Sequence, residues 1–162
     1  MSEQQTKEQE LEAVVQSMVG MFAVGGTLGD LKGLDETHYE TIYAAGHAQY
    51  TAGRYQQAEE VFKFLTIHNP YDRRFPLALG SVKQVKGEYD QAIGYYSMAM
   101  VLDMMDPVAV FHTAECMAAL GRADDAIEAL GFVIRNSEKP EHRAYKERSE
   151  AMLKILQQAG SV

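Results

Sequence analysis

The apolar residues of this chain fall into stripes with helical spacing. Ala58, Val61, Phe62 and Leu65 follow an i, i+3, i+4, i+7 order, which puts all four on one side of a helix. Leu11, Val14, Val15, Met18, Val19 and Phe22 form a similar stripe near the start. Tyr145, Met152, Leu153 and Leu156 mark the packing face of a last helix over 141–159, otherwise rich in Glu, Lys and Arg and ended by Gly160. Gly25-Gly26 stops the first helix, a short turn through Leu28 and Leu31 follows, and Thr37 with Glu40 has capping-box spacing for the next.

The stripes between these flanks recur in register. Gly53, Gly87 and Gly121 stand 34 residues apart, as do Gly46, Gly80 and Ala114, Ala58, Ala92 and Ala126, and Phe62, Tyr96 and Leu130. A 34-residue helix-turn-helix period is that of the tetratricopeptide repeat, which this pattern resembles. The expected fold is therefore all-α, a superhelix of three hairpins over 39–72, 73–106 and 107–140. It carries an N-terminal helical region over 1–36 and a C-terminal capping helix within a 37–162 repeat domain. In each hairpin the first small residue lets helix A lie close against helix B. The glycine ends helix A in a left-handed conformation, the alanine sits where the two helices touch, and the large apolar residue fills the space between repeats. Asp90 and Asp124 are expected to cap helix B. Pro70 closes the first repeat; Met104 and Glu138 hold that place in the others, with Pro107 and Pro140 just beyond.

Stacked hairpins coil, and their A helices line the concave side. Positions five, nine and twelve of each repeat then face a groove: Tyr43, His47 and Tyr50, then Leu77, Ser81 and Gln84, then Phe111, Glu115 and Ala118. Aromatic rings with polar tips suit peptide binding, because they offer contact area at low entropy cost. The competing reading buries some of these rings between helices, and Tyr55 has both a packing and a groove-edge reading. Some tetratricopeptide domains clamp the terminal carboxylate of heat-shock chaperones with Lys, Asn and Arg on helix A. The corresponding places here hold Tyr43, His47, Ala78, Val108 and His112, so that ligand is not expected. The stripe Leu11, Val14, Val15, Met18, Val19 and Phe22 has two readings, a cap folded on the first repeat or a dimerisation surface for a second copy. Nine methionines fit core filling or adaptable surfaces.

Charge narrows the function. A net charge of −8 argues against direct contact with nucleic acid and against an anionic membrane surface. One cysteine excludes an internal disulfide and fits a reducing compartment. The N-terminus lacks the basic and apolar regions of a signal peptide, no run reaches a membrane span, and a cytoplasmic location is expected. His112, Glu115 and Cys116 share a helix at i, i+3 and i+4, which allows either a thiol–imidazole pair or a core cysteine between helices A and B of the third repeat. The core reading is preferred, and no enzyme activity is expected. One Cys with scattered His has no zinc spacing, no phosphate loop or dinucleotide fingerprint is present, and neither a metal nor a cofactor is expected.

Several strings resemble a narrower family, the class II chaperones that guard the translocators of bacterial type III secretion systems. They are Gly25-Gly26-Thr27, Tyr43 with Gln49-Tyr50, Gly53-Arg54-Tyr55 and Ala58, then Tyr71-Asp72 with Arg74-Phe75, Gly87-Glu88-Tyr89-Asp90 with Ala92-Ile93, and His112-Thr113-Ala114-Glu115-Cys116. The resemblance covers about residues 15 to 155. It implies a virulence-associated chaperone that dimerises through its N-terminal region. It also implies that two hydrophobic translocators are held, one at a time, through an extended segment in the groove, at Tyr43, His47, Tyr50 and Tyr55 and on through the second repeat. His47 departs from the aromatic common there and makes the pocket more polar. The alternative is a general tetratricopeptide adaptor for a peptide of another assembly.

Overall fold

The structure, a computed structural model, describes residues 9, 12–13, 15–16, 19–21 and 23–159. Described residues between 9 and 23 are helical, and Val15 and Val19 there are exposed; Leu11, Val14, Met18 and Phe22 lie outside the described residues. A single turn, α1 (Leu28–Leu31), follows. It is closed by a capping box in which the Thr27 hydroxyl accepts from the Asp30 amide and the Asp30 carboxylate accepts from the Thr27 amide.

Three hairpins come next: α2 (Glu36–Thr51) with α3 (Tyr55–His68), α4 (Arg74–Val85) with α5 (Tyr89–Leu102), and α6 (Pro107–Ala119) with α7 (Ala123–Asn136). A 3-10 turn at Pro140–His142 leads into α8 (Arg143–Ala159). The turn α1 packs on α3, and from α2 on each helix packs against the next in sequence. Among the described residues there is no strand.

The turn inside each hairpin is built the same way three times. Gly53, Gly87 and Gly121 have φ of 73°, 77° and 76°, a region open to glycine at little cost. In each, the glycine N–H reaches back three residues and the next N–H five, as in Gly53 to Tyr50 and Arg54 to Gln49, which satisfies the last carbonyls of helix A. This turn delivers the chain straight into helix B, so α5 and α7 begin at Tyr89 and Ala123. Asp90 and Asp124 therefore sit inside the first turn and are not caps. The N-cap residues Glu88 and Arg122 make no side-chain cap bond. The acids favour the helix start through its dipole instead. The capping box expected from Thr37 and Glu40 is likewise displaced. Asp35, extended at φ −105°, caps α2 by accepting from the His38 amide at 3.0 Å, while its own N–H donates to His38 Nδ1.

The small-residue column explains the close approach of helices A and B. A Cβ on Gly46 would stand 2.7 Å from the Phe62 ring, and one on Gly80 would stand 2.6 Å from the Tyr96 ring. In the third hairpin Ala114 shares its core with the smaller Leu130, so a methyl fits there. Phe62, Tyr96 and Leu130 are all buried, as are Ala58, Ala92 and Ala126.

Charge also ties the first repeat to the second. Glu59 on α3 is buried, with Lys63 Nζ at 2.6 Å, Lys83 Nζ at 2.8 Å and Lys86 Nζ at 2.6 Å; Lys83 and Lys86 also reach Glu88. Arg74, at the start of α4, joins Asp72 to Glu40 on α2, each at 2.6 Å. The final helix lays Tyr145, Met152, Leu153 and Leu156 on the core of the third hairpin.

Candidate functional site

A cleft of about 310 Å³ runs across the A helices. The first repeat contributes Tyr43, His47 and Tyr50, with the Phe62 ring beneath them. The second contributes Leu77, Ala78 and Ser81, the third Val108 and His112, and α8 adds Tyr145. The aromatic wall is held in place by its neighbours. The Tyr43 ring meets His47 edge-on at 4.6 Å, leans on Phe62 and Phe75, and lies 5.2 Å from the Arg74 guanidinium. Since Arg74 is anchored on Asp72 and Glu40, the boundary between repeats one and two fixes this wall. Burial raises the Tyr43 and Tyr50 phenols above their ordinary range, so both stay neutral donors.

A hydrogen-bonded chain borders the floor. The Tyr96 hydroxyl donates to Gln84 Oε1 at 2.6 Å, and Gln84 Nε2 donates to Glu115 Oε2 at 3.0 Å. His112 Nδ1 lies 2.9 Å from the same oxygen, and Arg148 of α8 donates to Glu115 Oε1 at 2.9 Å. Burial pushes the Glu115 carboxyl up, but the bonds from His112 and Gln84 outweigh it and hold the group below its usual value.

Tyr43, His47, Tyr50, Leu77 and Ser81 thus line the cleft. Gln84 and Glu115 stand in the chain beside it. Tyr55 is half-buried and packs edge-on against Tyr50 at 5.6 Å, outside the lining. Phe111 does not face the cleft; it is 1% exposed and shares a core with Leu130, Val133 and Tyr145. The fixed set of repeat positions misleads in the third hairpin because α8 packs over it, with Tyr145 edge-on to Phe111 at 5.5 Å and the Arg148 guanidinium 4.4 Å from its ring centre. There the cleft is met by Val108 and His112, at positions two and six. Those two and Ala78 stand at clamp positions, a signal that was available in the sequence. Tyr145 belongs to no repeat, and nothing in the 34-residue period points to it.

His112 turns to Glu115, not to Cys116. The Cys116 thiol is buried, and burial with the nearby Glu115 charge pushes it up to about 12. It packs with Ala92, Tyr96, Ala99 and Ala109, so it seals the junction between repeats two and three and not the inside of the third hairpin. Among the described residues no three of His, Cys, Asp and Glu converge to hold a metal ion, and no helix is long and apolar enough to cross a membrane. A larger cleft of about 460 Å³ lies beside the 3-10 turn. Its walls carry charges of both signs, among them Arg73 paired with Asp106, and it lacks an aromatic floor.

The tetratricopeptide-repeat family model matches residues 39–72 and 78–106. Low calcium response locus protein H of Yersinia pseudotuberculosis serotype I is 32% identical over 158 residues, covering 96% of this chain and 92% of that protein. The structure of SycD, the type III secretion translocator chaperone of Yersinia enterocolitica, superposes with a TM-score of 0.77 at 34% identity, over 80% of this chain and 98% of that one. The chain belongs to the type III secretion translocator chaperones. PcrH, in complex with the chaperone binding region of PopD, superposes with a TM-score of 0.76 at 35% identity, over 79% of this chain and 97% of that one. In this translocator chaperone the aromatic cleft therefore sits on the scaffold that its relatives share.

Proposed function

We propose that this protein keeps hydrophobic translocators soluble and competent for secretion in the bacterial cytoplasm by holding an extended segment of each in the cleft. The observation that carries this reading is the cleft itself. It has an apolar floor of Phe62, Leu77, Ala78 and Val108 under polar-tipped rings, continuous across three repeats. Its relative PcrH has been crystallised with the chaperone binding region of PopD. A translocator must expose apolar segments to enter a membrane, and in water those segments aggregate. An extended segment costs less ordering entropy to hold than a flexible one. Holding needs no chemistry, so the protein acts stoichiometrically and not as an enzyme. The exposed Val15 and Val19 support a second copy pairing at the N-terminal stripe.

The test is co-expression with the hydrophobic translocators of the same secretion system. They are expected in the soluble fraction as complexes with the wild type, and depleted from it with Tyr43→Ala or Tyr50→Ala, both of which stay folded. Translocators that remain soluble without the chaperone, or complexes indifferent to both changes, would overturn the reading.

A further inference from the structure

We infer that the C-terminal helix supplies half of the grip: Tyr145 on α8 and His112 on α6 form a polar-tipped clamp on the backbone of the bound segment at the third-repeat end of the cleft, with Arg148 as the residue that positions Tyr145. This rests on the groove reading above and extends it to an element outside the repeats.

Tyr145 is the contribution of α8 to the cleft. Its half-buried ring stands edge-on to Phe111 at 5.5 Å and to His112 at 5.9 Å. The His112 ring in turn lies nearly parallel to the buried Tyr96 ring at 5.5 Å, so the imidazole plane is fixed. Its tautomer follows from Glu115. A carboxylate can only accept, so His112 Nδ1 carries the proton toward Glu115 Oε2. In the neutral ring that leaves Nε2 with a lone pair. Among the described residues neither His112 Nε2 nor the Tyr145 hydroxyl has a hydrogen-bond partner. An extended segment brings N–H and C=O groups that no helix or sheet satisfies. Nε2 accepts from such an N–H and the phenol donates to such a carbonyl, while Val108 and the ring faces receive the side chain between them.

Arg148 holds this arrangement. It lies three residues after Tyr145, on the same side of α8. It donates to Glu115 Oε1 at 2.9 Å, and its guanidinium sits 4.4 Å from the centre of the Phe111 ring. One carboxylate thus orients both halves of the clamp, His112 through one oxygen and α8 through the other. Because Arg148 is 54% exposed, its removal leaves the core intact.

The test uses the full chain and a fluorescein-labelled chaperone binding region of PopD, read by anisotropy. Tyr145→Ala is expected to weaken binding about ten-fold, and Tyr145→Phe about three-fold, through loss of the hydroxyl bond alone. Arg148→Ala is expected to cost about three-fold. Arg148→Lys should restore that loss, and Arg148→Ala should add nothing in the Tyr145→Ala background, an outcome that a merely stabilising role would not give. Hydrogen exchange over 143–150 should slow on binding. If Tyr145→Ala misfolds, the isosteric Tyr145→Phe decides. Unchanged affinity in Tyr145→Phe and Arg148→Ala, with Tyr43→Ala still weakening the complex, overturns the clamp and leaves the groove reading standing. A wild type that binds neither this peptide nor the translocators of its own secretion system overturns both.

Discussion

Glu59 gives the sharpest quantitative test of how the first two repeats are locked. The side chain is 4% exposed and faces three ammonium groups, Lys63 from its own helix and Lys83 and Lys86 from the end of the next hairpin's A helix. Burial alone would raise its carboxyl, but the bonds from Lys63, Lys83 and Lys86 outweigh that and hold it at about 2, against 4.5 for the free group. Each pH unit between those values is worth about 1.4 kcal/mol, so the ionised form contributes about 3 kcal/mol to folding near neutrality. The folded value is depressed, so this stability is complete above about pH 4.5 and is lost as pH falls towards 2; about 1.4 kcal/mol is left at pH 3. Glu59→Gln keeps the shape and removes the charge, leaving the buried Lys83 with Glu88 alone. Urea unfolding at pH 7, 5, 4 and 3 should show the variant about 3 kcal/mol less stable at pH 7, with the gap more than halved by pH 3. A gap of the same size at pH 7 and pH 3 would mean that lost packing, not lost charge, explains the variant. No gap at pH 7 would mean that the cluster does not lock the repeats.

Three further outcomes follow from the packing. Gly80→Ala should cost about 1–3 kcal/mol in thermal or urea unfolding, because the new methyl meets the Tyr96 ring at 2.6 Å, whereas Gly94→Ala, with open space at its Cβ, should not destabilise. The Cys116 thiol, buried and pushed up to about 12, should resist a disulfide reagent at pH 8 until the protein is unfolded; fast reaction of the native protein would refute its place in the core. Deleting residues 1–30 should convert dimers to monomers in sedimentation at micromolar concentration, and a full-length protein that is already monomeric there would remove the dimer proposal.

The repeat architecture was legible because each column answers a distinct steric demand. Gly53, Gly87 and Gly121 recur where the backbone turns left-handed, and Gly46, Gly80 and Ala114 recur where two helices crowd. Tyr43, His47 and Tyr50, like Leu77 and Ser81, were legible as lining residues because helix position decides which way they face. Phe111 was not, because α8, a helix outside the period, packs over that ring and closes it into the core. Helix starts were misplaced by two residues: Asp35, not Thr37, caps α2, and the N-caps of α5 and α7 are Glu88 and Arg122, not Asp90 and Asp124. In the last two the turn preceding the helix, not a capping side chain, sets where the helix begins. Tyr145 was illegible for the same reason as Phe111. Its role depends on how a helix outside the period docks, and that docking is written in the tertiary contacts of Arg148 and Glu115.

The Phe62 ring serves two purposes. It packs against the bare backbone of Gly46 between the first two helices, and it also lines the cleft. A client resting there presses on the same ring that keeps the first two helices together. Loading and heat resistance are therefore coupled, and an occupied chaperone should melt at a higher temperature than an empty one. The same sharing limits how such a protein can change clients over evolution. A new preference cannot be gained by reshaping this floor without loosening the scaffold, so variation is left to the rim, where His47 and Tyr145 stand.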